Sequence, residues 1–353
     1  MPGTLVAAVL GAGGIALAGP LSSALARARW PHRAPRPALI LWQAVCLGAG
    51  LCLVGALAVL ALLPLGESLV PALGAAGRDL LAGRPLAGMT GWRAACALAA
   101  LATASVLLAV LARCYALAAR RRRAHRAVLD LLSTPRSSAG PTRPDIRVLQ
   151  DRRALAYTVP GWHSRVVLSA GLLDLLSPDE IAAVIEHERA HLRARHDLLL
   201  LPFQAWTTAL GAVPGVRQAR AAVSELAEML ADDVAASRTN PGALASALVT
   251  VALDGDVAGG TPARADRRRP TRDAEESVRR PNRSRAPTTR WPATDGAATG
   301  TDAPRPADAG SPVLDRLRRL RRPLPLPAPL VAGIYALAAS IMTAPTAMVI
   351  AGW

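Results

Sequence analysis

The sequence predicts an α-helical membrane protein with a small α+β domain inserted between its third and fourth spans. Three observations carry this reading. There are four apolar runs of spanning length, a block of short strands and amphipathic helices before the last run, and a histidine pair spaced by one helical turn inside that block. Of the 353 residues, 52% are hydrophobic, too many for an ordinary soluble chain with runs this long. All 41 basic residues are arginine, and the net charge is +16. The arginines gather at the ends of apolar runs, so the charge reports topology, and no direct contact with nucleic acid is expected.

The first run, residues 4–26, is free of charge and is followed by Arg27, Arg29, Arg33 and Arg36. Ser23-Ala24-Leu25-Ala26 has the look of a signal-peptide cleavage site, but no positive segment precedes the run, which favours a retained span. Residues 38–63 and 94–118 are also long enough to cross. The loop Pro64 to Arg93 sets Glu67 and Asp79 against Arg78, Arg84 and Arg93, whereas the third run ends in Arg120-Arg121-Arg122-Arg123. The basic residues therefore place the N-terminus outside and everything after Arg120 in the cytoplasm. Cys46, Cys52, Cys96 and Cys114 lie within these runs without metal-site spacing and read as small hydrophobes.

From about Pro144 the chain turns soluble. Residues 146–149, 154–159 and 165–169 read as strands, with Pro160-Gly161-Trp162 as a turn. A sheet edge before a metal helix can hold an extended peptide as an added strand, and the candidate edge is Val166 to Ala170. His163 reads as a surface residue of the turn.

Ser177-Pro178-Asp179-Glu180 is a capping box with proline at the first helical position. The helix it starts contains Glu186-His187-Glu188-Arg189-Ala190-His191. Its two imidazoles, four residues apart, share a face and can reach one Zn²⁺, with Glu188 placed to take a proton from a water. Ile181, Val184, Ile185 and Leu192 would press the helix into a core. Such a site needs a third ligand. On the helix at 224–233, Glu228 and Asp232 share a face, so Glu228 can bind metal while Asp232 orients a histidine, with Glu225 the runner-up ligand. His196 and Asp197 lie off the metal-facing stripe and read as supporting residues.

Leu198 to Val213 is apolar but short for a span. A single crossing there would put Glu228 on the opposite side from His187 and His191. A core, interfacial or re-entrant helix is therefore expected. Residues 243–253 read as a last helix of the domain. From Gly255 to Gly310 the chain is rich in Arg, Pro, Ser and Thr, the composition of a disordered linker. Ser311-Pro312 then starts a basic helix with Leu314, Leu317 and Leu320 on one side, a juxtamembrane anchor for anionic headgroups. The expected organisation is three spans in 1–119, a cytoplasmic domain at 120–253, linker and basic helix at 254–322, and a fourth span in 323–353.

Leu172 to Glu180, His187-Glu188-Arg189-Ala190-His191, Arg195-His196-Asp197 and Glu228-Met229-Leu230-Ala231-Asp232 together resemble the integral-membrane gluzincin metallopeptidases. Two branches fit, the M56 (BlaR-type) and M48 (Ste24/HtpX-type) families, over about residues 145–250. The resemblance implies a zincin-like fold and a multi-pass protein of the cell membrane. It also implies zinc endopeptidase activity on a protein or peptide, with ligands His187, His191 and Glu228 and with Glu188 as base. The three-plus-one layout is similar to the BlaR-type transducers and implies cleavage of a BlaI-type repressor. The M48 branch implies quality control of membrane proteins, although its members place further spans between the histidines and the third ligand, for which 37 residues leave no room. A non-catalytic scaffold is the remaining reading.

Overall fold

The computed structural model describes residues 3–66, 68–84, 90–137, 145–161, 163–259, 312–322 and 325–351. The stretch expected to be a linker falls outside these residues from 260 onward, as do Ser311 and Trp162.

The first apolar rod is built from α1 (Gly3–Ala16), a wide π turn (Leu17–Leu21) and α2 (Ser22–Arg27). Pro20 lies in the π turn, where a missing N–H is tolerated because the helical bonding is already irregular. A 3₁₀ turn (Trp30–Arg33) leads to α3 (Pro35–Leu62), followed by α4 (Leu69–Leu81) and α5 (Gly91–Leu132). At the far end of the chain lies α13 (Ala328–Ala351). Among the described residues, four helices are long and apolar enough to cross a membrane: Gly3–Arg27, Pro35–Leu62, Gly91–Leu132 and Ala328–Ala351. Helix α3 is the hub, touching α1, α5 and α13. Small residues allow this: a Cβ on Gly48 would lie 2.6 Å from Ile341 Cγ2 on α13.

Four strands follow: β1 (Ser133–Ser137), β2 (Asp145–Leu149), β3 (Ala156–Val159) and β4 (Arg165–Ser169), in spatial order β1-β2-β4-β3. The β2–β4 pair is parallel and the other two pairs are antiparallel. This corrects the expected edge. β4 is interior, bonded on both sides and buried from Val166 to Ser169, and the free edge toward the helices is β3. Apolar density at Val166-Val167-Leu168 marks a strand covered on both faces, not one left open for a guest. β1 was not foreseen because Pro135 breaks the strand pattern. Proline is accommodated there because β1 is the other edge.

Next come α6 (Ala170–Leu175) and α7 (Pro178–Ala194), whose start is the expected capping box. Ser177 Oγ accepts from the Glu180 N–H, and Glu180 accepts from the Ser177 N–H at 2.8 Å. Ile181, Val184, Ile185 and Leu192 pack into one core with Val166 and Leu168 of β4 and Leu172 and Leu176 just after it, so the sheet side supports α7 from behind. Arg195 closes the helix in the left-handed conformation (φ 49°), turning the chain into α8 (His196–Leu199) and α9 (Leu201–Leu210).

Helix α9 enters the apolar bundle, and α10 (Pro214–Arg238) returns from it. Phe203 and Trp206 of α9 share one core with Leu10 of α1 and Trp42 and Val45 of α3, as do Val216, Ala219 and Val223 of α10. Trp42 and Phe203 meet edge to face at 6.5 Å. The 198–213 segment is thus one arm of a hairpin that goes in and comes back, which keeps Glu228 on the side of α7. Helix α11 (Pro241–Gly259) then packs on α7, and α12 (Pro312–Arg321) lies across α10 and α11.

Candidate metal centre

Two helices supply the centre. α7 carries His187, Glu188 and His191, and α10 carries Glu228 and Asp232. The Nε2 atoms of His187 and His191 lie 3.1 Å apart, and each is 3.5 Å from a Glu228 carboxylate oxygen. Ligand atoms on tetrahedral Zn²⁺ at the usual bond lengths are separated by about 3.3 Å, so the three donors are spaced as one ion requires. The donor set, two imidazoles and a carboxylate, is also one that zinc favours.

The supporting contacts were only partly foreseen. Asp232, 1% exposed, places Oδ1 3.0 Å from His187 Nδ1, short in distance though bent off the N–H axis. That carboxylate favours a proton on Nδ1, leaving the Nε2 lone pair for a metal. His196 does the equivalent for His191, its Nδ1 lying 2.9 Å from His191 Nδ1. The left-handed turn at Arg195 brings His196 under its neighbour, which spacing on a continued helix could not reveal. Asp197 instead pairs with Arg122 of α5. Glu225 sits away from the histidine pair, with His32 Nε2 at 3.7 Å, and His163 is exposed.

The residue that sequence reasoning missed is Arg316 of α12. Its Nε and Nη2 donate to both Asp232 oxygens at 2.6 and 2.7 Å, and Nη1 lies 3.4 Å from Glu228 Oε2. Arg319 similarly grips Asp233 and donates to the His32 carbonyl at 2.7 Å. The basic helix thus turns two of its arginines inward to carboxylates, while Arg318, Arg321 and Arg322 stay outside. Arg316 and Arg319 are therefore engaged within the protein and not available to headgroups. Helical spacing alone could place Arg316 and Arg319 on one stripe, but nothing local named Asp232 and Asp233 as their partners.

Charge and burial set the electrostatics. Burial pushes the Glu188 carboxyl up to about 7. Burial also opposes a charge on His187, but Asp232 and Glu228 outweigh it and raise the imidazole to about 9. His191 falls to about 4, chiefly by burial. Glu228 drops to about 2 because the two histidines and Arg316 overcome its desolvation. Beside the centre lies a cleft of about 160 Å³ lined by Thr158 and Pro160 from the β3 end, by His191 and His196, and by Ser224 and Glu228.

Comparison with known proteins supports the M48 branch and does not show the M56 one. The model of peptidase family M48 matches residues 118–252, which cover α7, α10 and the whole sheet. Over residues 118–252 the chain is similar to peptidase family M48. A protease HtpX homolog from Thermoplasma acidophilum is 44% identical over 61 residues, 17% of each chain. The chain therefore matches only a small part of that relative's length, and no solved structure is similar enough to count as a match. Family M48 is a family of zinc-dependent metalloproteases, and the donors brought together here are of the kind such a family uses.

Proposed function

We propose that the chain is a membrane-embedded zinc endopeptidase of zincin-like fold that cleaves protein chains presented at the cytoplasmic membrane surface. The convergence of two Nε2 atoms and the Glu228 carboxylate at 3.1–3.5 Å carries this reading. His187, His191 and Glu228 would hold the ion. Zinc bound there supplies a Lewis acid for the scissile carbonyl and makes a water acidic enough to attack at neutral pH.

The other steps belong to the chain's own residues. The substrate adds as a strand along β3, the free edge that leads into the cleft. Glu188 accepts the proton of the attacking water and passes it to the leaving amine, a task suited to a carboxyl raised to about 7. Arg316, bonded to both Asp232 oxygens and 3.4 Å from Glu228, keeps these two carboxylates ionised beside the proposed ion. Asp232 and His196 hold the two imidazoles in the required tautomers. The HtpX-like match supports a membrane protease, whereas cleavage of a BlaI-type repressor draws no support from either match.

The test is zinc content measured beside proteolysis on detergent-purified protein. Wild type is expected to hold a zinc that Glu228→Ala largely loses, while Glu188→Gln keeps the zinc and has no activity. Cleavage by Glu188→Gln at the wild-type rate would sink the reading, and a scaffold would replace it.

A further inference from the structure

A second set of donors converges one helical turn from the centre. His32 comes from the 3₁₀ turn between the first two spanning helices, Glu225 from α10 and Asp315 from α12. One ligand atom from each, an imidazole nitrogen and two carboxylate oxygens, lie within 4.8 Å of one another. Three separate parts of the chain supply them, so no local helix propensity accounts for the meeting. Two carboxylates drawn this close repel unless a cation lies between them. Asp315 is offered Arg318 at 2.9 Å, but that pair is i,i+3 on a helix surface and the Arg318 side chain is 71% exposed, so it is weak and easily displaced.

We propose that His32, Glu225 and Asp315 form a second divalent-cation site, distinct from the proposed catalytic one, which latches α12 onto the body of the protein. One imidazole and two carboxylates suit a first-row ion such as Zn²⁺. The side chains are 36%, 28% and 34% exposed, which leaves room for water to complete the shell. The latch has a specific consequence. Asp315 adjoins Arg316, and Arg319 already holds the His32 carbonyl, so an ion here fixes the helix that delivers Arg316 to Asp232 and Glu228. Zinc supply would then act on the enzyme at two places with different affinities.

The experiment is equilibrium dialysis of the tag-free, full-length, metal-depleted protein in detergent against graded Zn²⁺, read by elemental analysis. Wild type is expected to take up two ions, one tightly and one more weakly. His32→Ala and the isosteric Asp315→Asn should each keep the tight ion. Their weaker one should loosen beyond the roughly 10–100-fold typical of losing a supporting partner. Glu228→Ala should keep the weak ion and lose the tight one. Saturation of wild type at one ion, or two ions still held by both His32→Ala and Asp315→Asn, would overturn the latch. Two ions retained in Glu228→Ala would instead count against the catalytic assignment and leave the latch standing.

Discussion

At the scale of single residues, the centre depends on protons held in place. His187, raised to about 9 by Asp232 and Glu228 against its burial, carries a proton at neutral pH when no metal is bound. Zinc must displace that proton. Affinity should therefore climb by about tenfold per pH unit up to roughly pH 9 and level off above it, as read by chelator competition at several pH values. Asp232→Asn removes the charge that favours the tautomer while keeping the shape. Zinc affinity is expected to fall about 10–100-fold, with the fold intact by circular dichroism. Arg316→Gln, which removes the guanidinium from Asp232 and Glu228, should also loosen zinc about 10–100-fold, as read by chelator competition.

At the scale of elements, packing and backbone strain decide what each helix can do. Helix α10 reaches the bundle because Gly215 has no side chain: a Cβ there would lie 2.6 Å from the Gly19 carbonyl oxygen and 2.7 Å from that of Ala18. Gly215→Leu should destabilise the protein by about 1–3 kcal/mol, seen as a lower Tm, and loosen zinc by shifting Glu228 relative to α7. The left-handed Arg195 is the converse case. A non-glycine residue pays about 1–2 kcal/mol for that conformation, so Arg195→Gly should be neutral or stabilising while His196 stays in place. The capping box, the apolar face of α7 and the helical character of 224–233 were legible in the sequence because they follow from spacing within a turn or two. The order of the strands was not legible, since burial on both faces of β4 depends on what packs over it.

At the scale of the whole molecule, the proposed topology puts α4 and the cleft on opposite sides of the bilayer. In a cysteine-free background, an impermeant thiol reagent should label Leu73→Cys of α4 in intact cells and Leu314→Cys of α12 only after the membrane is opened. Both side chains are exposed, so burial would not mask either outcome. The hairpin of α9 and α10 resolves the short spacing between His191 and Glu228. The segment need not cross if it enters the apolar core and returns, burying Phe203 and Trp206 against Trp42 and its neighbours. Asp130 of α5, 2.7 Å from Arg165 on β4, ties the third long apolar helix directly to the sheet.

Local chemistry settled much of this protein in one dimension. Runs of apolar residues specify helices long and apolar enough to span, and His-Glu-x-x-His on a capped helix specifies a metal-competent face. Glu228 with Asp232 four residues on marks the proposed third ligand and its partner. Each of these follows from residues close enough in sequence that helix geometry alone relates them. The tertiary structure decided the rest. It brought α7 and α10 face to face, made β3 the free edge, folded His196 back under His191, and carried Arg316 to Asp232 from 84 residues away. Those relations come from long-range burial and charge pairing between elements, which no periodicity within a single helix or strand encodes.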